Sequence, residues 1–433
     1  MKNVLLVCDN RDSIIWGCRA TSLALLNIIN QNSSSFNSSL KYLADKNLPI
    51  GSGISHFINR QIVDKKSLVK INMILKNTGI TKMPWLFNLS LDYIDYNPTI
   101  SLKRFLKNYK KNDVLLNFYK KVEASDKVII NGEGSFIFTK VPRRDHCFQL
   151  FTIELAKYFN KEAYLVNAMM SPCPDTGLNT KMLDISLETL QKCEQVYLRD
   201  KMSGELLDQH GSIGQKIVPD ALFTWKNYYP QSLKPEARSD RMTFYSEDIP
   251  AFNDSLFPDE YICISGASVP RSEKDRKGWT EYFVKLVSEL KSQFHEELIL
   301  VNPGGDSFLK EVSEVTNLRY IDSSTNVMLG ANILSNAKMY LSGRYHPSIM
   351  AALGGTPCVF FGSNSHKTMS LQHLLNYETE IEHKIGDAYN IELIVDEALN
   401  KYKNLKAIEE RVNCKVDEHV QLISSSYQSI LDS

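Results

Sequence analysis

Twice along this chain, short apolar runs alternate with amphipathic segments of helical length, and a proline-rich stretch separates the two series. The first series places strands at residues 4–8, 127–130, 163–166, 195–198 and 217–218. The second places them at 261–265, 298–301, 318–321, 339–341 and 358–361. A strand followed by a helix and then another strand returns the chain to the same end of the sheet, so the strands pair in parallel. The expected class is therefore α/β, with two doubly wound, Rossmann-like domains. The first domain is expected over 1–226, the second over 261–390, and a linker over 227–260 with prolines at 230, 235, 250 and 258. Residues 391–433 read as a C-terminal helix that packs back on the first domain. Residues 31–40, rich in Ser and Asn, read as a loop, and about 54–122 as a basic, mostly helical insertion in the first domain.

A length of 433 residues is more than one core comfortably serves, which agrees with two domains. Lys plus Arg and Asp plus Glu both number 50, and a neutral balance excludes nucleic acid as the main partner. Any anion site must come from local clustering. The eight cysteines are scattered without a C-x-x-C pair, so neither a metal site nor a redox motif is expected. Met1 leads directly into the first strand, and no apolar run approaches the roughly 18 residues of a spanning helix. A soluble, cytoplasmic protein is expected. The run 101–121 mixes lysines with aromatic and aliphatic residues, and reads either as a solvated helix face or as a patch resting on the inner membrane surface.

Chemistry concentrates at the strand ends. After the apolar run 339–341, Arg344 and His346 sit on the turn entering a short helix over 347–353, and Lys367 follows the next strand. Ligands of open α/β sheets bind at that edge, and helix N-termini favour anions. The competing reading makes His346 a cap and Arg344 a surface cation. Arg199 ends another strand beside Asp200, with Ser203 beyond it, and Asp220 reads best as a turn or cap residue. Asp9 and Arg19 flank the turn after the first strand. Gly132 and Gly134 bracket Glu133 ahead of Ser135, a turn that allows close backbone approach to a ligand. In the second series, the small-residue turns 265–268 and 302–307 suit phosphate, or serve as ordinary connections.

In this order the pieces resemble the polysaccharide pyruvyl transferase family. The resemblance rests most on Gly343 to Pro357 (Gly-Arg-x-His-x-x-Ile-x-Ala-x-x-x-Gly-x-Pro) followed by Lys367, supported by Gly132–Ser135, by Arg199, Asp200 and Ser203, and by Pro219, Asp220 and Phe223. It implies a two-lobed, glycosyltransferase-B-like fold and transfer of pyruvate from phosphoenolpyruvate to a sugar of a surface glycan or its lipid-linked precursor. His346 would be the acid, and Arg344 beside it at the catalytic centre would hold the donor's phosphate or carboxylate together with Arg199. Arg199, Lys367, Ser265 and Ser363 would bind the donor. Asp9, Arg19, Glu133 and Ser135 would bind the acceptor, with no cofactor. The chain departs from the family where members carry Asn-x-Gly-Asp after the first strand, and where they more often show a run of glycines at 131–134. The alternative expectation is a nucleotide-sugar-dependent glycosyltransferase of the same fold, using turns 265–268 and 302–307 as diphosphate loops with Arg344 or Lys367 as clamp. A catalytically silent scaffold is the third reading.

Overall fold

The computed structural model describes residues 2–11, 13–32, 35–40, 93–227, 258–268, 276–386 and 390–433. The first unit begins with β1 (Asn3–Asp9), α1 (Trp16–Asn32) and β2 (Ser35–Leu40). Helices α2 (Pro98–Asn108) and α3 (Asp113–Ala124) then lead into β3 (Lys127–Asn131). It continues through β4 (Phe136–Phe138), α4 (Arg144–Tyr158), β5 (Glu162–Ala168), β6 (Met170–Pro172) and α5 (Thr180–Leu190). Strand β7 (Gln195–Leu198), α6 (Lys201–His210), β8 (Lys216–Ile217) and a 3-10 helix, Ala221–Asn227, complete it. The second unit runs β9 (Tyr261–Ala267), α7 (Arg276–Gln293), β10 (Glu297–Val301), α8 (Phe308–Thr316) and β11 (Arg319–Ile321). Next come α9 (Val327–Ser335), β12 (Met339–Gly343), α10 (Tyr345–Ala352), β13 (Cys358–Phe360) and α11 (Lys367–Leu374). Helices α12 (Asn390–Lys403) and α13 (Leu405–Asp432) end the chain.

Both main sheets are parallel, in the orders β2-β1-β3-β5-β7-β8 and β11-β10-β9-β12-β13. Helices cover both faces, so central strands such as β1 and β9 are buried along almost their whole length and carry continuous apolar runs. In each sheet the winding direction reverses beside the first strand, between β1 and β3 and between β9 and β12. Loops leave those neighbours in opposite directions and open a crevice at the carboxyl edge. The protein is thus a pair of doubly wound, glycosyltransferase-B-like domains with a helical insertion, α2–α3, in the first.

Two expectations change. Residues 35–40 form strand β2 rather than a loop: in register Asn3↔Ser35 to Leu6↔Ser38, β1 supplies the backbone partner that Ser and Asn side chains do not themselves favour. Helix α10 starts at Tyr345, so Arg344 is its cap residue and His346 lies within its first turn. Pro347 fits there because the first N–H groups of a helix have no intrahelical partner. Most of the expected linker (228–257) and the insertion over 54–92 lie outside the described residues.

Asn97 and Asn112 cap α2 and α3 by accepting the first free N–H groups. Phe105, Leu115, Phe118 and Val122 face α4, where Phe105 meets Phe151 at 5.1 Å between ring centroids. Lys103, Lys107, Lys110, Lys111 and Lys120 stay exposed on the other side. Among the described residues no helix is long and apolar enough to cross a membrane, and no group of three or more His, Cys, Asp or Glu could hold a metal.

Helix α13 carries a valine, isoleucine and tyrosine stripe, Val412, Val416, Val420, Ile423 and Tyr427, into a core shared with α1 and the 3-10 helix. Tyr427 Oη donates to Asn167 Oδ1 at 3.3 Å. That core crosses between the units. Trp16 of α1 packs on Gly330 of α9, where a Cβ would lie 2.4 Å from the indole, and its Nε1 donates to the Ser323 carbonyl at 3.1 Å. Tyr427→Ala is expected to destabilise the protein by about 3–5 kcal/mol, by loss of a large buried side chain. Tyr427→Phe, which removes only the hydroxyl, should cost about 1 kcal/mol. Urea unfolding followed by fluorescence of the buried Trp16 and Trp225 checks both values.

Candidate active site

Backbone strain marks the carboxyl edge of the first sheet. Cys8 in β1, Glu133 after β3 and Asn167 in β5 have φ of 63°, 43° and 54°, in the left-handed region that non-glycine residues rarely adopt. Cys8 and Asn167 fall where the strand register shifts, a bulge that turns the following residues toward the crevice. Such conformations cost of order 1–3 kcal/mol each and collect at functional sites. The crevice they rim holds about 310 Å³, within the usual range for small-molecule sites, and residues of both units line it.

Behind its wall, in contact with the lining residues Arg199 and His346, lies Asp220, between β8 and the 3-10 helix, with no exposure. Its Oδ1 accepts from Thr21 Oγ1 at 2.9 Å and from the Leu222 N–H at 3.0 Å. Its Oδ2 lies 3.1 Å from His346 Nε2 and 3.4 Å from Arg199 Nη1. Burial alone would raise the Asp220 carboxyl, but His346, Arg199 and the Leu222 N–H outweigh it and hold the group at about 2. Arg199 is 2% exposed, its guanidinium lies 4.0 Å from the centroid of the Tyr345 ring, and its Nε has no hydrogen-bond partner among the described residues. A buried fork with one distant carboxylate keeps donors to spare. His346 approaches α1 so closely that a Cβ on Gly17 would fall 2.6 Å from Nδ1, so glycine is required there.

The second unit contributes Arg344, bound twice to buried Asp306, Nε to Oδ2 at 2.8 Å and Nη2 to Oδ1 at 2.7 Å. Its Nη1 donates to Ser268 Oγ at 3.2 Å. Arg344 therefore pins the turn 302–306, in which Gly304 and Gly305 have φ of 111° and 89°, to the end of β12. Lys367, half-buried at the start of α11, donates to Asn364 Oδ1 at 2.8 Å. Burial, together with the cations Arg199 and Arg344, lowers its ammonium to about 7. Close by, Asp200 caps α6 through the Ser203 N–H at 2.8 Å and meets His366 Nε2 of the other unit at 2.9 Å.

Of the residues singled out by sequence, Arg199, Arg344, His346, Lys367, Glu133 and Ser135 converge on this crevice. Four do not line it. Ser265 is fully buried, donating to the Val301 carbonyl at 2.6 Å and accepting from Tyr340 Oη at 2.7 Å, so its hydroxyl is committed to the sheet. Ser363 Oγ donates to the Ser365 carbonyl at 2.7 Å. Asp9 is buried against Arg11, whose Nη2 lies 2.7 Å from Oδ2, and Arg19 Nε donates to the Ser13 carbonyl at 3.0 Å. Asp220 is more than the cap it resembled, and Asp306, Tyr345 and the amides of Asn10 and Gln149 were not foreseen. Pro219–Asp220 after a strand end was the available signal for Asp220. Its partner His346 is 126 positions away, and no spacing in the sequence joins them.

No curated protein matches the sequence. Solved structures match in fold. UDP-GlcNAc 2-epimerase from Neisseria meningitidis, bound to UDP-GlcNAc, is similar over 100% of each chain at 12% identity, with a TM-score of 0.52. UDP-GlcNAc 2-epimerase from Methanocaldococcus jannaschii, in complex with UDP-GlcNAc and UDP, is similar over 93% of each chain at 14% identity, with a TM-score of 0.51. These matches correct the expected reaction. Both of these structures are UDP-GlcNAc 2-epimerases, not transferases of pyruvate from phosphoenolpyruvate. The expected cations all reach the crevice, two of them beside carboxylates: Asp306 engages Arg344, Asp220 faces Arg199, and burial with the arginines lowers Lys367 to about 7. Family and fold nevertheless stand apart from donor choice. The sequence model of the polysaccharide pyruvyl transferase family matches residues 84–365, well over half of the chain, and by that match this chain belongs to the family.

Proposed function

We propose that the protein is a nucleotide-sugar-dependent glycosyltransferase of surface-glycan synthesis. The observation that carries the reading is the buried guanidinium of Arg199, with an unpartnered Nε, on the wall of a crevice that crosses the switch points of both sheets. A diphosphate lying there would reach Arg199 from the first unit and Lys367 from the second. Pro303 and Gly304 of the turn 302–306, which Arg344 pins, line the crevice beside these cations. The fold likeness to proteins bound to UDP-GlcNAc supports the same ligand class. In such a reaction an acceptor hydroxyl bonds to the sugar carbon as the bond from that carbon to the diphosphate breaks, the hydroxyl proton passes to solvent, and negative charge grows on the leaving oxygen. Arg199 and Lys367 are the cations placed to receive it.

Thermal unfolding in the presence of UDP-, GDP-, CMP- and dTDP-sugars tests the reading. At least one should raise the melting temperature, since about 2.7 kcal/mol of stabilisation is expected at a hundred times its Kd. Phosphoenolpyruvate should not. Failure of every nucleotide to stabilise the protein sinks the proposal. Arg199→Lys should weaken the nucleotide about tenfold or more, because a point charge cannot replace a planar fork.

The pH dependence has a definite sign. A bound diphosphate favours the charged ammonium and so raises the pKa of Lys367 above the value of about 7 in the free protein. Binding then takes up a proton above pH 7, and affinity is highest below that point and falls as pH rises. Calorimetric titration of UDP between pH 6 and 9 should show this limb in the wild type and its absence in Lys367→Met.

A further inference from the structure

Two arginines stand at strand ends of the crevice, and they are held in opposite ways. Arg344 is fixed by a carboxylate, with Nε and Nη2 on the two oxygens of Asp306 at 2.8 and 2.7 Å. Arg199 is the more deeply buried, its side chain 2% exposed against 16% for Arg344, yet its polar contacts are all long. Nη1 lies 3.4 Å from Asp220 Oδ2 and 3.5 Å from His346 Nε2, and Nη2 lies 3.7 Å from Met169 Sδ. Nε has no hydrogen-bond partner among the described residues. Contacts of that length fix the direction of a guanidinium poorly. What does lie squarely against it is a ring: the guanidinium carbon sits over the face of Tyr345, 4.0 Å from the centroid. That ring is itself well held. Tyr345 is 3% exposed in the core that both units share, and it meets the His346 imidazole edge-on at 5.2 Å and 76°. Its hydroxyl is buried with no hydrogen-bond partner among the described residues, so packing of the ring and not its polar end keeps it in place.

The face of an aromatic ring carries the negative part of its quadrupole, whereas the N–H donors of a guanidinium lie in the plane of the fork. A ring can therefore compensate a buried guanidinium through the one surface that makes no hydrogen bonds. A carboxylate, as at Arg344, does so by occupying the edge. We infer that Tyr345 is a positioning residue, whose ring face holds the Arg199 guanidinium in the crevice wall while leaving its edge donors for a ligand. Tyr345 occupies the open position of Gly-Arg-x-His, between Arg344 and His346, so the turn that delivers those two side chains also delivers the ring. Burial raises the phenol further above its ordinary value, so the side chain stays neutral and the attraction is that of a ring and not of an ion pair. The inference rests on the nucleotide-sugar reading for what the donors would meet, a diphosphate, but not for the placement of the guanidinium itself.

Two substitutions in the full chain separate the ring from the rest of the side chain. Tyr345→Phe keeps the face and loses only the idle hydroxyl, whereas Tyr345→Leu keeps apolar bulk and loses the face. Tyr345→Met, whose flexible side chain fills the same space, replaces the leucine variant if that one does not fold. With the arginine nitrogens isotope-labelled, the Arg199 Nε–H resonance is assigned by its loss in Arg199→Lys. It should carry a ring-current shift in the wild type and in Tyr345→Phe, and lose that shift in Tyr345→Leu. This signature needs no ligand. UDP affinity, measured by calorimetry, should fall about 10-fold or more in Tyr345→Leu, as expected for loss of a desolvated cation–π contact, and Tyr345→Phe should restore it. In the Arg199→Lys background the leucine substitution should cost about 2-fold or less, because a lysine has no plane for the ring to orient. An Arg199 resonance unmoved in the folded leucine variant, an equal loss of affinity in both backgrounds, or failure of phenylalanine to restore binding would overturn the positioning role. If UDP binds none of these proteins while the resonance behaves as expected, the nucleotide reading falls and the role of Tyr345 stands.

Discussion

A carboxylate with no access to water holds this molecule's working parts in place. Asp220 would be untenable alone, because desolvating a charge costs several kcal/mol, and it persists because four groups from four elements surround it. Thr21, Arg199 and Leu222 belong to the first unit and His346 to the second. The interaction therefore does two things at once: it fixes the imidazole's direction, and it ties the units together at the point where their strand ends meet. Asp200 and His366 repeat the arrangement nearby, with the acid again from the first unit and the histidine from the second. Both histidines thus take their orientation from the opposite unit. A change that separated the sheets would disassemble the crevice and its chemistry together.

The same carboxylates decide what kind of anion the crevice suits. Three cations at neighbouring strand ends would favour a small ligand with dense charge. With Asp306 bound bidentately to Arg344 and Asp220 beside Arg199, the field is weaker and more widely spread. Lys367, lowered to about 7 by burial and by those arginines, contributes less charge near neutral pH than an exposed lysine would. Such a site discriminates by geometry and hydrogen bonding rather than by charge density. The proposed nucleotide-sugar donor, whose diphosphate is esterified at both ends and spreads its charge along a chain, suits that field better than a compact trianion.

Much of the architecture was legible because parallel strands covered on both faces are written as continuous apolar runs, and those of β1, β9 and β12 are plain in the sequence. Strand β2 was not, since its Ser and Asn residues signal a turn and only its pairing with β1 makes it a strand. At the site, Arg199, Arg344, His346 and Lys367 announced themselves by standing at strand ends. Their partners did not. Asp220 and Asp306 look like ordinary turn residues until the fold brings Arg199, His346 and Arg344 to them, and pairing is a property of the tertiary structure. Ser265 shows the opposite error. A small hydroxyl at a strand end suits phosphate, but here the neighbouring strands take both its donor and its acceptor capacity.

The left-handed residues of the first sheet explain why the crevice has polar walls at all. A regular strand directs successive side chains to alternate faces of the sheet, where helices bury them, and presents little to its carboxyl edge. At Cys8 and Asn167 the backbone departs from that pattern, and β1 and β5 shift register over the same residues. The shift in β1 brings Asn10 beside Glu133, and that in β5 lets Asn167 bridge Thr21, the Ala221 N–H and Tyr427. Glu133 adds the third strained position, just after the intervening strand β3. Relaxing any of the three would improve local backbone energy and return a polar group to the sheet faces, where it has no partner. The strain is sustained because the surrounding hydrogen bonds leave the chain no better conformation, and its product is a row of amides and a carboxylate lining the crevice.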